Sequence, residues 1–307
     1  MHIVVFGSIN MDLVAHAPRI ARPGETLFGS DFRTVPGGKG ANQAVAVARL
    51  GGQAKMLGAL GDDGFATELT RSLQSYGVDT TAIVTSPGAS GVALILLDAQ
   101  GENSITVISG ANMRLSHAHL DTLVRALDGA SHLLLQLEIP VELVIAAAQL
   151  ARARGVTVLL DPAPAPLTGL PAELYENCDI LTPNETETAL LTGIEPIDVS
   201  ACQHAADILH ARGSRTVVIK RGAQGVYWSS NGVGMAVPGF VVPVVDTVAA
   251  GDCFNGALAV ALAEGNEMPT ALRFASASAA LSVTKSGAQP SIPSRADVEV
   301  FLNAHRI

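Results

Sequence analysis

Asp252 is the side chain whose setting most suggests chemistry. It stands in Asp246-Thr-Val-Ala-Ala-Gly-Asp-Cys-Phe-Asn-Gly-Ala-Leu-Ala259, after an apolar run, Phe240 to Val245, that reads as a strand. Ala257 to Ala263 reads as a small-residue helix that stops near Gly265, so the helix begins near Gly251. The first amides of a helix lack internal partners, and with the positive end of the helix dipole they make a site for an anion. Ala249, Ala250 and Gly251 carry almost no side chain, so a phosphate can approach their amides closely. A carboxylate beside that phosphate repels it. Asp252 therefore either caps the helix or takes a proton from an attacking hydroxyl.

A second glycine-led helix start occurs in Gly37-Gly-Lys-Gly-Ala-Asn-Gln-Ala-Val-Ala-Val-Ala-Arg-Leu-Gly51, where it carries Lys39 and Asn42. The spacing is not that of a Walker A loop, and the dinucleotide pattern GxGxxG is absent after the first strand, His2 to Phe6. That strand ends in Gly7-Ser-Ile-Asn-Met-Asp12, which puts Asn10 and Asp12 where α/β sheets collect ligands, although both are also ordinary turn formers. Other polar groups follow strands at Glu138, at Asn184 and Glu187, and in the turn from Lys220 to Gly225. Each alone is a cap or a solvated turn; together they are what a ligand with several phosphates and hydroxyls requires.

The elements that must position these groups follow from composition and rhythm. The 307 residues are 48% hydrophobic but only 4% aromatic, so the core is built from Ala, Val, Leu and Ile, as suits helices on a buried sheet. Strand-like runs at 54–60, 132–137, 156–160, 180–181 and 216–220 alternate with helical stretches at 65–76, 141–152 and 199–211. This predicts a three-layer α/β/α domain spanning 1–307 with a mostly parallel sheet. Two stretches without helical period, at about 13–36 and 91–108, predict a small projecting β-sheet able to act as a lid, the second as a hairpin around 98–103.

A net charge of −9 and a pI near 5.3 argue against wrapping nucleic acid. Cys178, Cys202 and Cys253 have no CxxC spacing, which suits a reducing compartment, and Cys253 reads as a packed small residue. No apolar run approaches the length of a membrane helix, so a soluble cytoplasmic protein is expected.

The two long motifs, 37–51 and 246–259, together with GSINMD at 7–12, QLE at 136–138, TPNETE at 182–187 and GAQPS at 287–291, resemble the PfkB, or ribokinase, family of carbohydrate kinases. The resemblance runs from about residue 2 to the C-terminus. It implies transfer of the γ-phosphate of ATP to the 5-hydroxyl of D-ribose. On the matching positions, Asn10, Asp12, Gly38, Lys39, Gly40, Ala41, Asn42 and Glu138 are expected to hold the sugar, with Asp252 as general base. The amides of Ala249, Ala250, Gly251 and Asp252 are expected to form the anion hole.

The nucleotide is expected over Asn184, Lys220, Arg221, Gly222, Ala223, Gln224, Gly225, Gly251, Asp252 and Ser276. The resemblance also implies Mg2+, or another divalent cation, acted on through water by Glu187. It further implies K+ held by Asp246, Val248, Ser282, Lys285, Gly287 and Ser291, and a homodimer through paired lid sheets. Lys220 stands where the family often has a small hydroxyl residue and is expected as a solvated strand end, with a phosphate contact as the alternative. Other readings are a kinase for deoxyribose, fructose or adenosine, and a sugar-binding protein without catalysis.

Overall fold

The computed structural model describes residues 2–100 and 103–305. Strand β1 (His2–Phe6) is followed by β2 (Asn10–His16), β3 (Asp31–Gly37), α1 (Lys39–Arg49), β4 (Ala54–Leu60), α2 (Gly64–Ser75) and β5 (Asp79–Thr85). Next come β6 (Gly91–Leu97), β7 (Asn103–Ile108), α3 (Leu120–Leu127), β8 (Ala130–Leu135), α4 (Val141–Arg152) and β9 (Thr157–Leu160). Helix α5 (Ala172–Asn177), β10 (Ile180–Leu181), α6 (Glu185–Thr192), α7 (Val199–Ala211) and β11 (Thr216–Lys220) continue the alternation. The chain ends with β12 (Val226–Ser230), β13 (Val233–Val237), α8 (Ala250–Ala263), α9 (Met268–Ser282) and α10 (Arg295–Ala304).

Nine strands form one sheet in the order β13-β12-β11-β10-β9-β8-β1-β4-β5. Its pairs are parallel from β5 to β11 and antiparallel only at the β11-β12-β13 edge. A parallel sheet covered on both faces calls for unbroken apolar strands, and β1 is one. Ile3 and Val5 face the core under α1, α2, α8, α9 and α10, while Val4 and Phe6 face the core under α3 to α7. The result is three layers, α/β/α.

A second, four-stranded sheet has the order β3-β2-β6-β7. Residues 101 and 102, in the expected β6–β7 turn, lie outside the described residues. Only Gly7, Ser8 and Ile9 separate β1 from β2, so Asn10 and Asp12 begin the small sheet directly above the end of the large one.

The apolar run Phe240 to Val245 is not a strand. Pro243 has no amide to donate to a ladder, and Val241 is 91% exposed. The segment is instead tied by Val245 N, which donates to Val283 O at 2.8 Å, and it walls the candidate site. Strand β5 and helices α5, α9 and α10 are additions to the elements expected from sequence. Among the described residues no helix is long and apolar enough to cross a membrane.

Candidate active site

Asp252 lies in the first turn of α8, whose N-cap, Ala249, adopts φ 61° and ψ 9°. This left-handed conformation costs a non-glycine residue about 1 kcal/mol. By helix geometry the amides of Gly251 and Asp252 have no partner within the helix, and Ala250 N reaches Thr247 O only at 3.3 Å. Helix α1 comes close to α8 at Gly256, where an added Cβ would stand 2.9 Å from Gln43 O. Two side chains of α1 consequently reach the Asp252 carboxylate. Asn42 Nδ2 donates to Oδ2 at 2.9 Å, and Gln43 Nε2 donates to Oδ1 at 3.3 Å.

Asp252 is 5% exposed. Burial pushes its carboxyl up to about 6, with Asp161 and Glu138 adding to the rise and Lys39 and Asn42 opposing it. A carboxylate so poised accepts a proton near neutral pH. Burial works against the charge of Lys39, yet Asp252, Asp161, Glu138 and Glu187 around it raise its pKa above the usual lysine range. Cys253 is buried, which pushes its thiol up to about 12 and leaves it a packing group.

On one side of Asp252, the start of β2 and the start of α1 form a polar cluster. Gly38, at φ 91°, passes so close to β2 that an added Cβ would lie 2.7 Å from Asn10 N. Gly40 rests on the end of β1 with its would-be Cβ 2.7 Å from Gly7 C, and Ala41 N donates to Ser8 O at 2.9 Å. These contacts bring Asn10, Asp12, Lys39, Asn42 and Glu138 together; Gly38, Gly40 and Ala41 contribute backbone and packing. Glu138 accepts from Ser8 Oγ and from Lys39 N at 3.3 Å. Asp12 is pushed up to about 7 by burial, with Glu138 and Asp252 adding their repulsion.

On the other side opens a cavity of about 600 Å³ lined by Lys39, Asn184, Glu187, Lys220, Gly222, Ala223, Gly225, Gly251, Asp252 and Ser276, with Phe240 and Val241. Asn184 and Glu187 form a capping box on α6: Asn184 Oδ1 accepts from Glu187 N at 2.8 Å, and Glu187 Oε2 accepts from Asn184 N at 2.8 Å. Burial raises the Glu187 pKa, and Asp161 adds to it.

Arg221 and Gln224 do not line the cavity. The Arg221 guanidinium is buried and donates to Pro196 O at 3.1 Å, to Ile197 O at 2.8 Å and to Gln224 Oε1, pinning the turn that carries Gly222 and Gly225. Lys220 is not a solvated strand end. Its side chain is only 13% exposed and its Nζ donates to Asp161 Oδ1 at 2.9 Å, because a buried carboxylate draws the ammonium inward.

Four polar residues without an assigned role in the sequence reading join the site. Asp161, Gln43 and Gln136 form a chain to Asp252, and Asn112 donates to Asn10 Oδ1 at 2.7 Å. Asp161 had one local signal, its place before Pro162 at a strand end; Gln43 and Gln136 stood inside motifs that carry the resemblance but with no role of their own, and Asn112 had no signal.

Asp246 ties the segment before α8 to the turn after α9: Oδ1 accepts from Val248 N at 3.0 Å and Oδ2 from Gly287 N at 2.9 Å. Lys285 N donates to Ser282 O at 3.2 Å, and Ser291 Oγ donates to Ala288 O at 2.8 Å. The expected K+ residues thus lie on two joined segments. Carboxylate, hydroxyl and carbonyl oxygens suit a hard cation. Glu187 fits Mg2+ through water, since each of its oxygens already accepts one hydrogen bond from Asn184 and keeps a lone pair for another.

A family model described as pfkB family carbohydrate kinase matches residues 1–295. The ribokinase of Haemophilus influenzae is 44% identical over 301 residues, covering 98% of both chains. A deoxyribokinase of Salmonella typhi is 38% identical over 305 residues, covering 99% of both. The solved structure of Arabidopsis thaliana ribokinase complexed with ribose and ATP matches with a TM-score of 0.91 at 35% identity, covering 98% of both chains.

Proposed function

The chain belongs to the pfkB family of carbohydrate kinases, and we propose that it transfers the γ-phosphate of ATP to the 5-hydroxyl of D-ribose, releasing ribose 5-phosphate and ADP. The observation that carries this reading is the buried Asp252 carboxylate, held by Asn42 and Gln43 at a helix start between a cluster of polar side chains suited to hydroxyls and a cavity with room for a nucleotide.

Asn10, Asp12, Lys39, Asn42 and Glu138 hold the sugar hydroxyls through both donors and acceptors, over the backbone of Gly38, Gly40 and Ala41. Asp252 takes the proton of the hydroxyl as it attacks. The amides of Ala249, Ala250, Gly251 and Asp252 receive the charge that develops on the transferring group. Phosphoryl transfer leaves little covalent work to the protein, so positioning and charge stabilisation carry the acceleration. Asn184 and Lys220 seat the triphosphate, with the adenine between Gly222, Ala223 and Gly225 of the following turn, Ser276 and the 240–244 wall, while Arg221 and Gln224 brace that turn from behind.

Glu187 would orient a water of Mg2+ bound with the nucleotide, and the ion would neutralise phosphate charge. Asp246, Val248, Ser282, Lys285, Gly287 and Ser291 would hold K+, whose charge would steady the loop that starts α8. Exposed Phe32 and Leu94, which share one face of the small sheet, favour its pairing with a second copy. We take the reaction to run in the cytoplasm, where ATP and K+ are abundant and the free cysteines stay reduced.

Deoxyribose is the second reading, favoured by the Salmonella relative. A pocket built to pair each hydroxyl leaves a buried polar group unpaired when one is missing. ADP release with ATP, Mg2+ and K+ is therefore measured against ribose, deoxyribose, fructose and adenosine. Turnover of roughly 1 to 100 per second with ribose above the others supports the proposal. Preference for another substrate reassigns the sugar, and no turnover with any of them leaves a binding protein.

A further inference from the structure

Asp161 is 3% exposed and uses both carboxylate oxygens. Oδ1 accepts from Lys220 Nζ at 2.9 Å, and Oδ2 accepts from Gln43 Nε2 at 3.2 Å. The same Gln43 nitrogen reaches Asp252 Oδ1 at 3.3 Å, and Gln43 Oε1 is fixed by Gln136 Nε2 at 2.6 Å. One amide thus spans two buried carboxylates, and its orientation is set from behind.

Lys220 Nζ stands 3.5 Å from where a Cβ on Gly251 would be. The missing side chain of Gly251 leaves the ammonium over the first turn of α8, beside the unpartnered helix amides. Among the groups lining the cavity, Asp161, Glu185, Glu187 and Asp252 are acidic, and only Lys39 and Lys220 are basic. A triphosphate entering this acidic cavity needs every cation near its path.

We propose that Lys220 and Asp161 act as one unit: Lys220 is a catalytic cation that meets the transferring phosphoryl group beside Gly251, and Asp161 is the positioning carboxylate that aims it and links it through Gln43 to Asp252. The proposal rests on the kinase reading and deepens it at the phosphate end. Asp252 removes the hydroxyl proton as the new O–P bond forms. The Pγ–O bond to ADP breaks, and its electron pair leaves with the β-phosphate oxygen. Lys220 donates a hydrogen bond to a non-bridging oxygen throughout and transfers no proton. Asp161 also adds negative charge near Asp252 and helps to raise its pKa.

The test compares binding of ADP and AMP by calorimetry, with Mg2+ present, and steady-state kinetics for ATP and sugar. Lys220→Met is expected to weaken ADP by about tenfold or more while leaving AMP within about twofold, since the ammonium that meets the transferring group also reaches the adjoining β-phosphate, which ADP carries and AMP lacks. It lowers kcat by about 10²-fold, the scale of losing one donor to the transferring group, with the sugar KM little changed.

Lys220→Met leaves Asp161 buried and unpaired, so the double variant Lys220→Met/Asp161→Asn is measured alongside it. Its Tm is expected near wild type, with the ADP and kcat defects persisting. ADP and kcat values within about twofold of wild type in the double variant would make the pair purely structural and overturn the proposal. Equal loss for ADP and AMP would overturn it too. Asp161→Asn alone is expected to move the acid limb of kcat/KM to lower pH, a shift that a packing role does not produce; an unmoved limb removes the link to Asp252. The nucleotide-binding arms need no sugar, so they remain decisive even if ribose is not the substrate.

Discussion

Asn42 and Asp252, 210 positions apart in the chain, meet side chain to side chain with Nδ2 to Oδ2 at 2.9 Å. Asn42 Oδ1 is buried and has no partner among the described residues, and Nδ2 is given to the carboxylate, where it favours the charged form. Because the base must be ionised to accept a proton, kcat/KM is expected to fall below the Asp252 pKa of about 6, approaching tenfold per pH unit. Asn42→Asp replaces a donor by a second carboxylate and is expected to move that limb up by about one unit or more. A pH–rate profile of both proteins checks this; a limb that stays in place removes Asp252 as the titrating base.

Asp12 carries a cost when no sugar is bound. Its folded pKa of about 7 lies above the unfolded value of about 3.9, so the folded state binds the extra proton and stability falls as pH rises through that window. Asp12→Asn is therefore expected to raise the Tm of the free protein above pH 7, with the difference vanishing below about pH 4. The same variant should bind sugar more weakly. Melting curves across pH, paired with sugar titrations, test both halves.

Gly40 touches backbone rather than a movable side chain, with its would-be Cβ 2.7 Å from Gly7 C and 2.8 Å from Ser8 N. Gly40→Ala is expected to lose about 1–3 kcal/mol of stability and to raise the sugar KM, because the start of α1 must back away from β1. Gly64, the first residue of α2, has nothing within 4 Å of its would-be Cβ. Gly64→Ala should gain about 0.4–1 kcal/mol. Denaturant unfolding of the two variants gives opposite signs if the backbone contact is what matters.

Asp246 organises the oxygen-rich segments before α8 through Val248 N and Gly287 N. Replacing K+ by tetramethylammonium is expected to lower kcat severalfold in the wild type. Asp246→Ala should remove most of that response by freeing the two segments from each other. Activity measured over a K+ series, with ionic strength held constant, checks it, and an unchanged rate without K+ would set the cation aside.

The helices that carry the proposed reacting groups were legible because glycine-led starts followed by Ala and Val runs are local signals. So were β1, β4, β9 and β11, short apolar runs ending in polar turns, and the β6–β7 hairpin. The run Phe240 to Val245 misled for the converse reason: its composition is that of a strand, but Pro243 and the exposure of Val244 and Val245 keep it out of the sheet. Gln43 and Gln136 were silent because their meaning lies in partners on other elements, 93 positions apart from each other in the chain. Lys220 was misread because a lysine after a strand is usually solvated, and only the fold reveals Asp161 beneath it.

Asn10 and Asp12 ride on β2 of the small sheet, whereas Asn42 and Asp252 belong to helices packed on the large one, and one of the joints between the two regions is Gly7, Ser8 and Ile9. A sugar gripped by both groups is fully released only when they part. Its residence time is then governed by how often that short buried joint yields, more than by the strength of any single hydroxyl contact. If the joint yields rarely compared with turnover, a captured sugar is phosphorylated before it can escape, and pulse–chase trapping of labelled sugar would read that commitment directly.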